Sequence, residues 1–334
     1  MKEISENIEL LPTKSKDFLK SIDVTVQEVN RLTEDGKLLF LIKSNSRQYV
    51  LKVNLLPTSF LGKILRNLIG SIGFQQECLF YKNIKKFDFK GNYAKYFNSD
   101  KSNLLIELLP KNNFVLKDLN GNNWRLVGET LGMFQWNSKT LDRGLRSLVH
   151  RIIYGSQGVA MRVGIPTVRR VLGIKASIRY VYEIIRCIIK QPKLTRTCLS
   201  HNDFLPNNFI FSKDFKKLYI IDFQDITSES RWPFYDLIKL LSHLKGNIEP
   251  SLKKEIINSY LQNLPSEIIN NINIQTQVRF CVLKGLIHSL QWRIKNGHNY
   301  CEQITFLRSM LYSNEMDNYS NSIIKIINEY YHGR

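Results

Sequence analysis

The sequence predicts an α+β fold in which strands come first and helices follow. Three short segments that mix apolar and polar residues open the chain as predicted antiparallel strands: 24–32, 38–43 and 48–53. Asp35-Gly36 is a strong hairpin signal between the first two. Residues 251–331 instead have helical periodicity, interrupted near Pro265 and Gly297. With 334 residues, 43% of them hydrophobic, the chain is long enough for two lobes around a sizeable core.

Further elements are predicted between these ends: a helix around 74–80, a strand at 104–109, helices at 124–136 and 174–189, and a hairpin of strands 209–211 and 218–221. The segment 57–72 has apolar residues at helical spacing and is therefore amphipathic. It is predicted either to pack on the sheet of the first lobe or to lie on a membrane surface.

Composition favours a cytoplasmic protein. No run of eighteen apolar residues is present, and the first residues lack the apolar core of a secretory signal. The cysteines are odd in number and are not spaced for zinc or a disulfide framework: 78, 187, 198, 281 and 301. We therefore expect a reducing cytoplasm.

The net charge of +19 is concentrated in the middle of the chain. Residues 139–196 contain thirteen Lys and Arg residues but only Asp142 and Glu183 as acids. Such a region attracts anions, whether phosphorylated sugars, acidic lipid headgroups or nucleic acid. The alternative is a solvated basic surface that only maintains solubility.

Two carboxylates and an amide stand at fixed offsets beside short apolar runs. Asp203 is followed by Asn208, and Asp222 follows the second strand of the predicted hairpin. A hydroxyl that attacks the terminal phosphate of ATP needs a carboxylate to orient it and accept its proton, and Mg²⁺ on the phosphates needs hard oxygen ligands. Each residue alone is better explained as a turn or strand-end residue. Their combination predicts a phosphoryl-transfer site.

The motifs His201-x-Asp203-x₄-Asn208 and Ile221-Asp222-Phe223 resemble the catalytic and metal-binding motifs of the aminoglycoside phosphotransferase and choline kinase superfamily. The resemblance implies a bilobal protein-kinase-like fold. Its small antiparallel-sheet lobe, which binds ATP, would span residues 1–109. The mainly helical lobe for catalysis and acceptor binding would span residues 110–334.

The resemblance also implies roles for individual residues. Asp203 would be the catalytic base, while Asn208 and Asp222 would bind Mg²⁺. Lys52, on the third strand, would contact the α and β phosphates of ATP, and Glu77 on the following helix would orient it. The alternatives are an ordinary edge-strand lysine and an exposed helix glutamate.

The resemblance implies roles at other family positions as well. Gly36 would lie over the phosphates, an assignment from position alone because no Gly-x-Gly-x-x-Gly is present. The backbone from Glu107 to Leu109 would bind adenine. His201 and Asp236, the latter in a Tyr-Asp-Leu triplet, would support the catalytic loop rather than touch substrate.

The acceptor is the least determined feature. His201-Asn202-Asp203 resembles choline, ethanolamine and thiamine kinases, whereas the residues after Asp222 are more similar to bacterial kinases of cell-wall amino sugars. The arginine surplus favours a neutral or anionic small molecule, so we expect a sugar, amino sugar or sugar-lipid. Trp292 is predicted to be either a core residue or part of the acceptor pocket.

Two other functions stay open from the sequence. One is a choline, ethanolamine or thiamine type of kinase. The other is a catalytically silent, nucleotide-binding scaffold that uses the basic region to contact membrane or nucleic acid. The intact set of Lys52, Asp203, Asn208 and Asp222 favours an enzyme, and no specific nucleic acid partner is expected.

Overall fold

The structure, a computed structural model, describes residues 7–32, 38–44, 47–54, 71–84, 92–109, 114–136, 156–194, 196–313 and 315–332. The chain forms two compact units. The first comprises Met1–Lys86, Asn92–Asn112 and Ile210–Asp225, and the second comprises Phe87–Gly91, Asn113–Phe209 and Ile226–Arg334. Three sequence features fall outside the described residues: Gly36, the amphipathic segment up to residue 70, and residues 139–155 of the basic region.

The described strands are β1 (Glu28–Arg31), β2 (Leu38–Ser44), β3 (Arg47–Val53), β4 (Asn92–Tyr93), β5 (Tyr96–Ser99), β6 (Asn103–Glu107), β7 (Cys198–Ser200), β8 (Phe209–Phe211), β9 (Leu218–Ile220) and β10 (Thr227–Glu229). The described helices are α1 (Thr13–Ser21), α2 (Ser71–Asn83), α3 (Gly121–Trp136), α4 (Ser156–Leu172), α5 (Ile174–Lys190), α6 (Tyr235–His243), α7 (Pro250–Leu261), α8 (Ser266–Ile269), α9 (Ile274–Lys295), α10 (Cys301–Tyr312) and α11 (Asn318–His332). The predicted α+β fold, with its sheet near the N-terminus and helices after it, is confirmed.

The first unit is built on an antiparallel sheet with the strand order β1-β2-β3-β6-β5. Side chains on β3 alternate between its two faces. Tyr49, Leu51 and Val53 are buried in a hydrophobic cluster with Phe40 of β2. Lys52 lies between two of these residues, so its side chain projects from the opposite face of the sheet.

The predicted first strand is correct in position but too long. β1 begins at Glu28 rather than at residue 24. Val24 and Val26 pack against the core without pairing with β2. The chain has only just left α1 here, since the amide of Val24 donates to the carbonyl oxygen of Leu19 at 3.0 Å.

A second, smaller sheet in the first unit has the order β4-β9-β8. β8 and β9 are neighbours, as the predicted hairpin requires, and the Ser212 amide closes their turn by donating to the Lys217 carbonyl oxygen at 2.9 Å. β4 pairs with β9 in parallel, with Tyr93 opposite Ile220. Pairing on both sides fixes the position of β9, and therefore the point from which the chain continues to Asp222.

The second unit is mostly helical. Helices α3 and α5 occur where predicted, and the C-terminal helices break near Pro265 and Gly297 as predicted. α4, which precedes α5, was not predicted. The long helix α9 packs against α4, α5, α6, α10 and α11. Trp232 stacks on Phe280 of α9 with 3.7 Å between ring centroids.

Trp292, in the last turns of α9, is 57% exposed and stacks on His298 with 4.8 Å between ring centroids. Its interpretation as a core residue is therefore wrong. None of the helices within the described ranges combines the length and apolar content needed to cross a bilayer.

Helices α3 and α7 approach closely because α3 has glycines on the face toward α7. A Cβ atom at Gly132 would lie 2.9 Å from the carbonyl oxygen of Tyr260. A Cβ atom at Gly128 would overlap the carbonyl oxygen of Ile256 and the Oγ atom of Ser259. Backbone cannot yield as a flexible side chain does, so this helix pair requires glycine at both positions.

We expect Gly128→Ala to lower the free energy of unfolding by about 1–3 kcal/mol, because separating α3 from α7 outweighs the higher helix propensity of alanine. Gly285→Ala is the matched control, since a Cβ atom there meets nothing within 4 Å. That substitution is expected to stabilise α9 by about 0.5–1 kcal/mol. Urea unfolding of both variants measures the difference, and equal stabilities would contradict the close packing.

Candidate active site

A lysine held by two carboxylates lies in the first unit. Lys52 Nζ is 2.6 Å from Glu77 Oε2 and 2.7 Å from Asp222 Oδ1. The side chains of Lys52 and Glu77 are only 9% and 1% exposed, and that of Asp222 is 26% exposed. Lys52 is on a strand with neighbours on both sides. The alternatives of an edge-strand lysine and an exposed glutamate are therefore wrong.

Local structure explains how Asp222 reaches Lys52. Asp222 directly follows the strand β9 and residue Ile221, and its φ of 62° lies in the left-handed region. Asp tolerates this conformation better than most residues, although it costs about 1 kcal/mol or more. Phe223 then packs on Phe80 and Tyr81 of α2, with centroid distances of 4.2 and 5.4 Å. The turn that carries Asp222 is thereby fixed on the same helix as Glu77.

The charge state of Lys52 follows from two opposing effects. Burial by itself favours the neutral amine, but the negative charges and hydrogen bonds of Glu77 and Asp222 outweigh it. The pKa of Lys52 is consequently raised above its ordinary value. Lys52 is thus a permanent, oriented cation.

The loop after β7 in the second unit carries Asp203 and depends on Asp236. The buried carboxylate of Asp236 accepts hydrogen bonds from the backbone amides of His201 at 2.7 Å and Asn202 at 2.8 Å. It also accepts from Ser200 Oγ at 3.0 Å and Gln135 Nε2 at 3.1 Å. These contacts fix the backbone immediately before Asp203.

Asn202 adopts a left-handed backbone conformation in this loop, with a φ of 62°. Its side chain donates to Thr227 Oγ1 at 2.8 Å, and its backbone carbonyl oxygen accepts from Lys239 Nζ at 2.8 Å. The strained residue is therefore held on several sides, as persistent backbone strain requires. Strain of this kind is found at functional sites more often than elsewhere.

Two side chains hold the Asp203 carboxylate, one at each of its oxygen atoms. Asn208 Nδ2 donates to the Asp203 carboxylate at 2.9 Å and to its backbone carbonyl oxygen at 2.8 Å. Lys239 Nζ lies 2.6 Å from the other carboxylate oxygen, Oδ1. Burial raises the pKa of Asp203, but the charge and hydrogen bond of Lys239, followed by smaller effects of His201 and Asn208, lower it below its usual value. Asp203 is therefore ionised at neutral pH.

His201 is fully buried and does not contact the solvent. Its Nδ1 atom accepts from the Asp203 amide at 3.3 Å, and its ring lies edge-on to Phe134 and Phe204. This is the environment that a supporting role in the loop requires.

Three basic residues near this loop were not predicted as site residues from the sequence. They are Lys239 of α6 and Lys284 and His288 of α9. Lys284 Nζ lies 3.2 Å from Asn202 Oδ1 and 3.3 Å from the centre of the Tyr235 ring. Burial lowers the pKa of Lys284 to about 7. A lysine inside the apolar run 282–287 was the available signal, and it is the same signal that identified Lys52.

His288 is also affected by its surroundings. Burial, followed by the positive charges of Lys284 and Lys239, lowers its pKa to about 3. His288 is therefore a neutral imidazole at physiological pH. Its Nε2 atom is buried and has no hydrogen-bond partner among the described residues.

The residues assigned to Mg²⁺ have suitable donor atoms. Among the described residues no group of three or more His, Cys, Asp or Glu side chains forms a metal site. Both hydrogen bonds of the Asn208 amide group come from its nitrogen, which leaves Oδ1 as its ligand atom. An amide oxygen such as Asn208 Oδ1 and a carboxylate such as that of Asp222 are each hard oxygen donors of the kind that suits Mg²⁺.

The segment assigned to adenine is the end of β6. The amides of Glu107 and Leu108 donate to the carbonyl oxygens of Lys95 at 2.8 Å and Gln48 at 3.2 Å. The backbone of Leu109 is not engaged in these bonds. Gly36 lies outside the described residues, and its assignment stays a prediction.

Comparison with known proteins supports one family. A model of the phosphotransferase enzyme family matches residues 176–267, a range that contains Asp203, Asn208, Asp222 and Asp236. No curated protein matches the chain by sequence.

Solved structures with the same fold include aminoglycoside phosphotransferase APH(2″)-IIa. Its gentamicin complex has 15% identity and a TM-score of 0.58, over 95% of this chain and 98% of that chain. Its complex with streptomycin and ATP has 14% identity and a TM-score of 0.57, over the same shares. Choline kinase LicA from Streptococcus pneumoniae has 12% identity and a TM-score of 0.55, over 97% of this chain and 100% of that one.

These similarities confirm the predicted protein-kinase-like fold, which the chain shares over nearly its whole length with such enzymes. The family match over the segment that carries both motifs is a separate finding. Together they show a chain that is similar to the phosphotransferase enzyme family at residues 176–267 and that shares its fold with aminoglycoside phosphotransferases and a choline kinase.

Proposed function

We propose that the protein is an ATP- and Mg²⁺-dependent kinase that phosphorylates a hydroxyl group of a small molecule, namely a sugar, amino sugar or sugar-lipid. The observation that carries this proposal is the ionised Asp203, held by Asn208 and Lys239 on a loop braced by Asp236. A carboxylate fixed in this manner suits the orientation of a hydroxyl.

In the proposed reaction, the acceptor hydroxyl donates a hydrogen bond to the Asp203 carboxylate. The hydroxyl oxygen forms a bond to the γ-phosphorus of ATP while the bond from that phosphorus to the β,γ-bridging oxygen breaks, and ADP leaves. The proton passes to Asp203 as the new bond forms. The low pKa of Asp203 fits a loose transition state, in which the carboxylate mainly orients the nucleophile and accepts its proton late.

Neutralisation of the negative charge on the ATP phosphates is assigned to Lys52 and Mg²⁺. Lys52 contacts the α and β phosphates, and Glu77 keeps the ammonium group in place. Asn208 and Asp222 would hold Mg²⁺, and the ion would supply positive charge to the phosphates. The proposal requires both sets of residues to act on one nucleotide.

The basic residues around Asp203 support a neutral or anionic acceptor. Lys239 contacts Asp203 directly, and the charged groups that affect His288 include Lys284 and Arg162. A quaternary ammonium or polycationic acceptor requires negative charge next to its binding position, and these cations would repel it. A sugar hydroxyl or a phosphorylated sugar has no such conflict.

We also infer a reducing cytoplasm as the site of action. All five cysteines are unpaired thiols, and only Cys301 among them is exposed. Free thiols of this kind are typical of reducing compartments.

Asp203→Asn is expected to lower kcat by roughly 10²–10⁴-fold, because the amide cannot accept the proton of the acceptor. ADP release is measured with ATP, Mg²⁺ and a panel of sugars, amino sugars, choline and ethanolamine. Asp214→Asn, in the exposed β8–β9 turn, is the matched control and should retain full activity. Undiminished turnover by Asp203→Asn would contradict the role of Asp203, and absence of turnover by the wild type with every acceptor would favour a nucleotide-binding scaffold.

Lys52→Met is expected to weaken ATP binding by roughly 10–100-fold through loss of a charge-assisted contact to phosphate. Calorimetric titration with ATP and Mg²⁺ measures the change. Lys43→Met, at an exposed lysine on β2, is the control and should bind ATP normally. Because Lys52→Met leaves two carboxylates without their cation, circular dichroism must first show that the variant is folded. Normal ATP affinity in a folded Lys52→Met variant would exclude the phosphate contact.

Lys239→Gln is expected to move the acid limb of the kcat/KM profile to higher pH. Lys239 lowers the pKa of Asp203, so its removal raises that pKa, and activity that needs ionised Asp203 is lost at a higher pH. Lys245→Gln is the control, because Lys245 pairs with Asp317 instead. An unchanged acid limb would show that Lys239 does not control the ionisation of Asp203, whatever happens to the maximal rate.

A further inference from the structure

Helix α5 has an exposed apolar stripe along its length. Its members are between 45% and 75% exposed: Ile174, Ile178, Tyr182, Ile185 and Ile189. Their spacing of four, four, three and four residues places them within an arc of roughly 80° on the helix surface. Large apolar side chains that are exposed together, and not singly, indicate an interaction surface.

A basic stripe lies directly beside the apolar stripe on α5. It consists of Lys175, Arg179, Arg186 and Lys190. The same helical geometry places these residues within the next arc of roughly 60°. The acid of this helix, Glu183, is buried and pairs with Arg279 of α9 at 3.0 Å and with Arg186 of the basic stripe at 2.7 Å, so that Arg186 is only 26% exposed. The exposed surface of α5 is therefore apolar on one side and positive on the other.

The remaining face of α5 anchors the helix to the second unit. Tyr180 is buried and donates from its hydroxyl to the carbonyl oxygen of Ala160 in α4 at 2.9 Å. Gly164 of α4 leaves the space that the Tyr180 ring fills. Arg179 of the basic stripe adds a contact, since its Nε atom donates to the carbonyl oxygen of Leu311 at 2.9 Å. α5 is thus fixed by its own core contacts, while the members of the apolar stripe are 45–75% exposed.

Basic residues continue beyond α5 at both of its ends. Arg169 and Arg170 are exposed in the last turn of α4, and Lys193 is exposed just after α5. In the described ranges 156–194 and 196, Arg and Lys are numerous and Glu183 is the one acid. The positive potential therefore extends along the whole helix.

We propose that the apolar and basic stripes of α5 dock the protein on a bilayer that contains anionic lipids. The isoleucines and Tyr182 enter the boundary between headgroups and acyl chains, and the basic stripe contacts anionic headgroups. This inference goes beyond the proposed kinase reaction and does not depend on its acceptor.

Charge and polarity favour a bilayer over other occupants. A second copy of α5 would bring two basic stripes toward one another, which is unfavourable. A nucleic acid would neutralise the basic stripe but leave the apolar stripe in water. A bilayer with anionic lipids, which is anionic outside and apolar within, satisfies both stripes.

Vesicle co-sedimentation tests the proposal. Wild-type protein is mixed with vesicles of phosphatidylcholine alone or of phosphatidylcholine with phosphatidylglycerol. We expect binding to the anionic vesicles only, weakening as salt is added. Ile178→Gln/Ile185→Gln should lower the partition coefficient by roughly tenfold through loss of apolar burial. Lys175→Gln/Lys190→Gln should lower it by roughly tenfold or more through loss of charge.

Matched variants elsewhere on the surface control for general effects. Leu10→Gln/Val115→Gln changes two apolar residues that are 51% and 55% exposed, and Lys254→Gln/Lys325→Gln removes two charges from exposed positions on other helices. Both should bind vesicles like the wild type. All four variants should keep the wild-type unfolding temperature, because the substituted side chains are exposed.

Several outcomes would overturn the proposal. One is equal binding of the wild type and the Ile178→Gln/Ile185→Gln variant to anionic vesicles, and another is no vesicle binding at all. Sedimentation velocity gives a third outcome: a wild-type dimer that this variant dissociates would assign the apolar stripe to a second copy of the chain. Capture of RNA in place of vesicles, dependent on Lys175 and Lys190, would also exclude a bilayer.

Discussion

The buried carboxylate of Asp236 holds the loop on which the proposed chemistry depends. It accepts from two consecutive backbone amides, those of His201 and Asn202, and from two side chains. An amide inside a protein is costly when unpaired, so a single carboxylate that satisfies several donors specifies one loop conformation. Asn202 can then keep its left-handed backbone, and Asp203 follows in a defined position.

Basic side chains on two helices hold this loop. Lys239 stands one turn after Asp236 on α6 and binds Asp203, while Lys284 of α9, whose pKa burial lowers to about 7, contacts Asn202. A buried cation is stable only with a partner, and for Lys239 that partner is the Asp203 carboxylate of the loop itself. The first unit shows the same principle at Lys52, which is held by Glu77 and Asp222. In each unit, burial and pairing together determine the charge state of the residues assigned to the reaction.

The sequence predicted the parts of this architecture that follow from local pattern. Lys52 was predicted from its position on the third strand of the family that the motifs resemble. Glu77 was then predicted as its partner, because an ammonium on an apolar strand needs an anion and Glu77 lies on the next helix. Lys239 and Lys284 were missed because their partner, the loop at 202–203, is distant in sequence, and helical periodicity alone does not show which face a neighbour occupies. The parallel pairing of β4 with β9 was missed for the same reason, since nothing local in two-residue strands indicates a partner.

The surplus of positive charge divides into two classes that the sequence alone could not separate. Lys239 and Lys284 are withdrawn from solvent and serve the loop around Asp203, whereas the basic stripe of α5 is directed outward beside apolar side chains. Count and spacing are alike for both classes; burial is what distinguishes them. A basic residue that must remain charged when partly buried needs a carboxylate or carbonyl group nearby, and the helices of the second unit provide these near Asp203. In the exposed class, Arg186 pairs with Glu183 and Arg179 donates to the Leu311 carbonyl oxygen. Lys175 and Lys190, by contrast, are exposed, and the proposed anionic bilayer would supply their partner.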